Sequence, residues 1–297
     1  MAAMVRKKRR LHALDFIVLA AVAGLVGYVA YRVDTVLIYK WDWSAIPSYL
    51  FRWDDETATL VPNLLIKGLV TTIRISIWAM VVASIMGVVL GMARTSNRLF
   101  FRLVSWAYVG LIRNIPPVPF LFLFYFFISS QIMPLLGIDA AIRNASPETL
   151  AIAEVFFGPA NLMSNFVSGL ISLSMLSAAY IAEIVRAGIQ AVPAGQREAG
   201  QTVGLSRFSI MRYIILPQAI ERVVPPLAGQ FISLIKDSSL VALISIQELT
   251  FLAMEIAISE QRFFEVWIFT GFMYFVVCYA CALAFGWLEQ RMGAHRR

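Results

Sequence analysis

Charge is scarce in this sequence. Asp, Glu, Lys and Arg make up 14% of its 297 residues, against about 25% in an ordinary soluble domain. Histidine occurs twice, as His12 and His295, both in terminal tails. With no His, Cys or carboxylate cluster at metal-ligand spacing, neither a metal site nor a membrane-embedded enzyme is expected. No cofactor and no catalytic residue is assigned. The dipeptide Gly-Lys is absent, which excludes a G-x-x-x-x-G-K-[ST] phosphate loop. Cysteine appears only as Cys278 and Cys281, inside the apolar run GFMYFVVCYACALAFGW. A C-x-x-C pair can be redox-active or bind metal. Here no His and no second pair accompanies it, so the two read as small buried hydrophobes.

What the sequence has instead is apolar length. The AVILMFWYC set reaches 60%, and mean hydropathy is +0.75. A soluble protein of this size cannot cover such an inventory with so few charges. The net charge of +7 would fit nucleic acid, but the basic residues sit between long apolar runs, as topology signals do. Spanning about 30 Å of hydrocarbon takes around 20 mostly apolar residues. Six segments qualify, at 14–33, 64–92, 103–128, 165–187, 223–246 and 266–288. The expected fold is therefore all-α and multi-pass, with six transmembrane helices. The boundaries expected are a basic tail and N-terminal helix over 1–34, an outer loop over 35–62, a core over 63–290 and a tail over 291–297.

Loop charge sets the orientation. The tails and alternate loops on one side hold sixteen Lys and Arg, beginning with the run Arg6 to Arg10; the other side holds Lys40, Arg52, Arg143 and Arg262. The positive-inside rule then places both termini in the cytoplasm. The N-terminal stretch also has the outline of a signal peptide, with Ala21-Val22-Ala23 in the A-x-A form. A cut there leaves a short apolar region, so an uncleaved anchor is the favoured reading. The loop 34–62 carries Trp41, Trp43 and Trp53 among Asp42, Asp54, Asp55 and Glu56. It reads as an interfacial aromatic belt, with a protein-docking surface as the alternative.

Ionisable groups inside a span are expensive, so each is a functional candidate by default. Arg32 and Lys67 lie near segment ends and can snorkel. Arg74 is deeper, on the same helix face as Lys67. Arg113-Asn114 precedes Pro116, Pro117 and Pro119, and prolines at that density break a helix and free backbone groups. A guanidinium there suits a carboxylate. Segment 165–187 carries Ser168, Ser172, Ser177, Tyr180 and Glu183. The first two serines read as helix packing, and Glu183 as an acceptor for a substrate ammonium. Lys236-Asp237-Ser238 lies within the next span, with Asp237 as a reserve acceptor.

The longest inside loop, about 188–222, is the most specific feature. Glu198-Ala199-Gly200 is followed by Gly204, and nine residues later come Ile214 and Leu216-Pro217. A short helix near 197–203, ended by Gly204 at positive φ, would lie along the membrane face. Small residues at 199 and 200 would seat it in a partner's groove, and Pro217 would start the next element. The spacing resembles the EAA---G---------I-LP loop of permease subunits in bacterial ATP-binding-cassette (ABC) importers, with Gly200 where that pattern has Ala.

The resemblance runs from about Val61 to the end and is similar to the polar amino-acid uptake branch. It rests on TTIRIS at 71–76, RNIPP at 113–117, SAAYIAEIVRAGIQAVPAGQREA at 177–199 and LIKDSSLVALISIQEL at 234–249. It implies a five-helix permease core plus the added N-terminal helix. It also implies four kinds of partner: a cytoplasmic ATPase dimer, a second permease subunit (identical or sister), an extracytoplasmic amino-acid-binding protein and membrane lipid, with no nucleic acid. By the same resemblance, Glu198, Ala199, Gly200, Gly204, Ile214, Leu216 and Pro217 would couple to the ATPase. Arg113, Asn114, Ser177, Tyr180, Glu183, Lys236, Asp237 and Ser238 would line the substrate pathway. The alternatives are an importer of the same kind for another small polar solute and an ion-coupled secondary transporter, which explains the buried charges but not the loop.

Overall fold

The computed structural model describes residues 13–36 and 39–294. The basic run Arg6 to Arg10, His12, His295, Arg296 and Arg297 lie outside the described residues. The chain divides into two compact units, Met1–Trp43 and Ser44–Arg297. In the first, helix α1 (Ala13–Val36) is 24 residues long. At 1.5 Å per residue it runs about 36 Å, enough to cross a bilayer. The Trp41 and Trp43 rings stack after it, 5.9 Å between centroids.

The second unit begins earlier than the sequence reading has the core begin. A short helix α2 (Ile46–Leu50) buries Ile46. Strands β1 (Phe51–Asp54) and β2 (Thr59–Pro62) form an antiparallel hairpin in which Phe51 faces Pro62 and Asp54 faces Thr59. The remaining elements are helical. They are α3 (Leu64–Arg94), α4 (Leu99–Asn114), α5 (Pro117–Leu123), α6 (Ser130–Leu136), α7 (Ile138–Asn144), α8 (Pro147–Phe157), α9 (Met163–Gln190), α10 (Ala194–Thr202), α11 (Arg207–Ile210), α12 (Leu216–Asp237), α13 (Leu249–Ser259) and α14 (Phe263–Ala294). Among the described residues, six helical stretches are long and apolar enough to cross a membrane.

Four of the six follow the sequence-predicted segments closely. The other two differ, the first for a reason that lies in proline. The expected span 103–128 straddles a break: α4 ends at Asn114, and Ile115 is extended (φ −91°, ψ 132°). A residue before proline is pushed out of the helical region, and Pro116 follows. Pro117 then opens α5, where a missing N–H costs nothing. The long apolar stretch here runs Pro117–Asn144. It includes a widened π turn at Phe124–Ser129. The expected span 223–246 belongs to a stretch that begins far earlier, at Arg207.

The core is the pairing of α3 with α9. Gly87 and Gly91 on α3 face Ile181 and Val185 on α9, and a Cβ on either glycine would fall within 2.6 Å of those side chains. Small residues are what let membrane helices approach this closely. Serines on α9 settle within the packing: Ser168 bonds Ser129 at 2.5 Å, Ser172 donates to the Gly169 carbonyl, and Ser174 to that of Leu170. Gly68 gives the same freedom to α13, since a Cβ there would stand 2.8 Å from the Leu249 Cα.

Candidate functional site

The loop between α9 and α12 is a folded, self-locked unit. Pro193 precedes α10, which runs Ala194–Thr202. Gly204 takes φ +75°, the left-handed conformation glycine adopts at no steric cost. With it, the Leu205 N–H reaches the Gly200 carbonyl and the Gly204 N–H that of Gln201, each at 3.0 Å. Both bonds of a Schellman motif are therefore made, and α10 stops there. Ser206 then caps α11 by accepting from the Ser209 N–H at 3.1 Å. Arg222 donates to the Ala191 carbonyl. Gln218 donates to that of Ile214 at 2.9 Å. Pro217 lies in the first turn of α12, as expected from its ring.

One expectation about this loop changes. Gly200 does not face outward. It is buried against its own chain, where a Cβ would meet Ile210 Cγ1 at 2.9 Å and Ile214 Cδ1 at 3.0 Å. Gly in place of the pattern's Ala thus accommodates two isoleucines beneath α10. Glu198 and Ala199 do face outward. Further along the same loop Val203 and Phe208 are 74% and 73% exposed, and Tyr213 is exposed too. Glu198 is thus an exposed acid on a loop that also exposes large apolar side chains.

The intramembrane candidates separate into three places. Arg113, at the end of α4, holds its guanidinium 5.3 Å from the Tyr180 ring of α9, a cation–π distance. Both side chains are exposed, and Asn114 donates to the Gly110 carbonyl at 2.6 Å. Nearby Ser177 is buried. Lys236 and Asp237 are exposed at the last turn of α12, and no ion pair within 4 Å engages them among the described residues. Ser238 is buried and donates to the Ile235 carbonyl. Glu183 is taken up by its own chain. Its Oε2 accepts from Arg94 at the end of α3 at 2.5 Å, and its Oε1 accepts from Arg186 one turn on. Arg113 is therefore paired with an aromatic face, while Glu183 joins two helices at the end of the bundle that carries α10.

Sequence reasoning passed over Glu248. It is fully buried at the N-cap of α13. Its Oε1 accepts from the Phe251 N–H at 2.9 Å. Its Oε2 accepts from Tyr274 at 2.7 Å and from Thr72 at 3.1 Å. Thr72 in turn accepts from the Leu249 N–H. One carboxylate ties α3, α13 and α14 together. The signal was an acid immediately before the apolar helix LTFLAMEIAIS, at the position that caps it.

With this geometry in view, comparisons with known proteins are specific. Residues 83–294 match the family described as binding-protein-dependent transport system inner membrane component. The chain is 32% identical over 259 residues to the glutamate/aspartate import permease protein GltK of Escherichia coli O6:H1, covering 86% of this chain and 99% of that one. It is 31% identical over 253 residues to the glutamine transport system permease protein GlnP of E. coli K12, covering 85% and 98%. Among solved structures, an amino acid ABC transporter chain superposes with a TM-score of 0.65 at 28% identity, covering 85% of this chain and all of the other.

Proposed function

The chain belongs to the binding-protein-dependent transport system inner membrane component family, and on that footing we propose that it is the permease subunit of an ABC importer for polar amino acids. The observation that carries this reading is the locked helix α10 with Glu198 exposed, on a loop that also exposes large apolar side chains and at the offsets that resemble the ATPase-docking loop. The chain itself has no catalytic role. A separate cytoplasmic ATPase dimer supplies the hydrolysis, a second permease subunit completes the pathway, and an extracytoplasmic binding protein delivers the amino acid. The substrate classes printed for the relatives, glutamate/aspartate and glutamine, support a small polar amino acid.

Because α10, α11 and the start of α12 are tied by hydrogen bonds into one body, a push at α10 reaches α12 and the α9 end without being absorbed by slack. The pathway runs past Arg113 and Tyr180, where the break after α4 frees backbone groups, and on to Lys236, Asp237 and Ser238. Arg113 serves the carboxylate. Asp237 is the open carboxylate for an ammonium, since Glu183 already holds two arginines.

The test is uptake by the reconstituted importer. Wild type is expected to take up labelled amino acid only with ATP inside. Gly204→Pro removes the left-handed turn, because proline is fixed near φ −65°, and Glu198→Arg reverses the docking charge. Both are expected to keep the protein in the membrane and assembled but to lower uptake per ATP hydrolysed by about tenfold, roughly 1.4 kcal/mol of lost coupling. Normal uptake by both would remove the loop from the mechanism.

Orientation is tested separately in a variant with Cys278 and Cys281 replaced by alanine. Gly195→Cys lies on α10, where a Cβ meets open space; Glu56→Cys lies in the exposed hairpin turn. In intact cells an impermeant thiol reagent is expected to label residue 56 and not residue 195. The opposite pattern would overturn cytoplasmic termini and the coupling role together.

A further inference from the structure

A cavity of about 720 Å³ opens at the hairpin end of the bundle, the end opposite α10. It is bounded by the hairpin, the first three turns of α3, the turn between α8 and α9, and the segment 245–252. The volume falls within the roughly 300–1,000 Å³ of small-molecule sites. None of the pathway residues named above lines it.

Its charge is what separates it from a lipid-filled crevice. Arg52, Lys67 and Arg74 reach it, and so do Asp54 and Glu154. Lys67 and Arg74 are seven residues apart on α3. Two helical turns bring them to the same face, about 10.5 Å apart along the axis. Neither forms an ion pair within 4 Å among the described residues. Arg74 lies about 15 Å along α3 from Leu64, in a largely apolar helix where an uncompensated cation is costly. The opposite wall is built, not incidental. Gly158 turns the chain at φ +90°, and a Cβ there would stand 3.7 Å from the Arg74 guanidinium. Glu154 closes that turn by accepting from the Ala160 N–H at 3.1 Å. Asn165 and Gln247 add neutral hydrogen-bonding groups, and Phe157, Phe166 and Ile246 supply apolar wall.

We propose that this cavity is a second solute site, an outer holding site for an amino acid with an acidic side chain. Three cations against two carboxylates suit a molecule with two carboxylates and one ammonium. Lys67 and Arg74, spaced along one face, each take one carboxylate; Glu154 and Asp54 face the ammonium. The inference rests on the amino-acid importer reading and adds to it the substrate class and a site preceding Arg113.

The test uses the permease–ATPase complex in nanodiscs of phosphatidylcholine, without binding protein. Labelled glutamate is expected to bind saturably, and glutamine about tenfold more weakly. Lys67→Gln/Arg74→Gln is expected to weaken glutamate binding at least tenfold with thermal stability unchanged, whereas Arg143→Gln, on α7 and outside the cavity, leaves this binding intact. Loss of binding in Arg113→Gln but not in the double variant would place the bound glutamate at the pathway and overturn the proposal. So would an absence of saturable binding in a complex that still imports glutamate. If wild type instead carries an anionic phospholipid that the double variant loses, and binds no glutamate, the cavity holds lipid and the proposal is wrong. Saturable glutamate binding in a complex that imports no amino acid would sink the transport reading and leave this site standing.

Discussion

Glu248→Ala is expected to destabilise the permease by about 3–5 kcal/mol, enough that little monodisperse protein survives extraction into detergent. The figure follows from what the carboxylate holds. Truncation strips the N-cap of α13, worth about 1 kcal/mol. It also leaves the Thr72 and Tyr274 hydroxyls without their buried acceptor, each at roughly 1–2 kcal/mol, since Thr72 keeps its bond from the Leu249 N–H and Tyr274 can turn to Thr250. Glu248→Gln is expected to be much milder. Its carbonyl can still accept from Phe251. Its amide nitrogen, in place of Oε2, can donate to the Thr72 hydroxyl, while Tyr274 turns to Thr250, 3.0 Å away. Fluorescence-detected size-exclusion chromatography after a temperature series measures both. Equal stability of Ala and wild type would show that the three helices are held by apolar packing alone.

The fold was legible wherever it depended on bulk patterning. Apolar length fixes the number of spans, and the 198–217 offsets locate α10, its stop at Gly204 and the restart at Pro217, because each is a local backbone requirement. The break at Asn114–Pro116 was legible for the same reason. What local pattern cannot carry is who faces whom. Gly200 looked like a small residue offered to a partner. It is small because Ile210 and Ile214, ten and fourteen positions on, fold back beneath it. Glu183 read as an acceptor for a substrate ammonium because its partner Arg94 is 89 residues away in sequence, at the far end of α3. Glu248 was passed over because its partners Thr72 and Tyr274 come from two other helices. Lys67 and Arg74 were visible as one helix face, but the wall opposite them is made by the Gly158 turn, which no periodicity announces.

Glu183→Gln is the variant that decides between two readings of the helix facing Arg113. The carboxylate sits between Arg94 and Arg186, with side chains 17%, 26% and 29% exposed for Arg94, Glu183 and Arg186. If its work is to bind the end of α3 to α9, then removing its charge leaves two guanidinium groups facing each other. That pair is half-shielded, so the loss lies between the value of a surface bridge and that of a buried one, about 1–3 kcal/mol. Uptake is expected to fall at least tenfold, because α9 leads directly into α10 and a loosened α9 end no longer passes on the loop's motion. Stability should fall with it, and Arg94→Gln added to Glu183→Gln should recover most of the stability by removing one stranded cation. A solute-binding role makes a different forecast. Uptake would drop while the thermal midpoint stayed at the wild-type value, and the second substitution would recover nothing. Measuring uptake and thermal stability for the two single variants and the double variant forms a cycle that separates the two roles. A coupling energy near zero between Arg94 and Glu183 would return Glu183 to the substrate pathway.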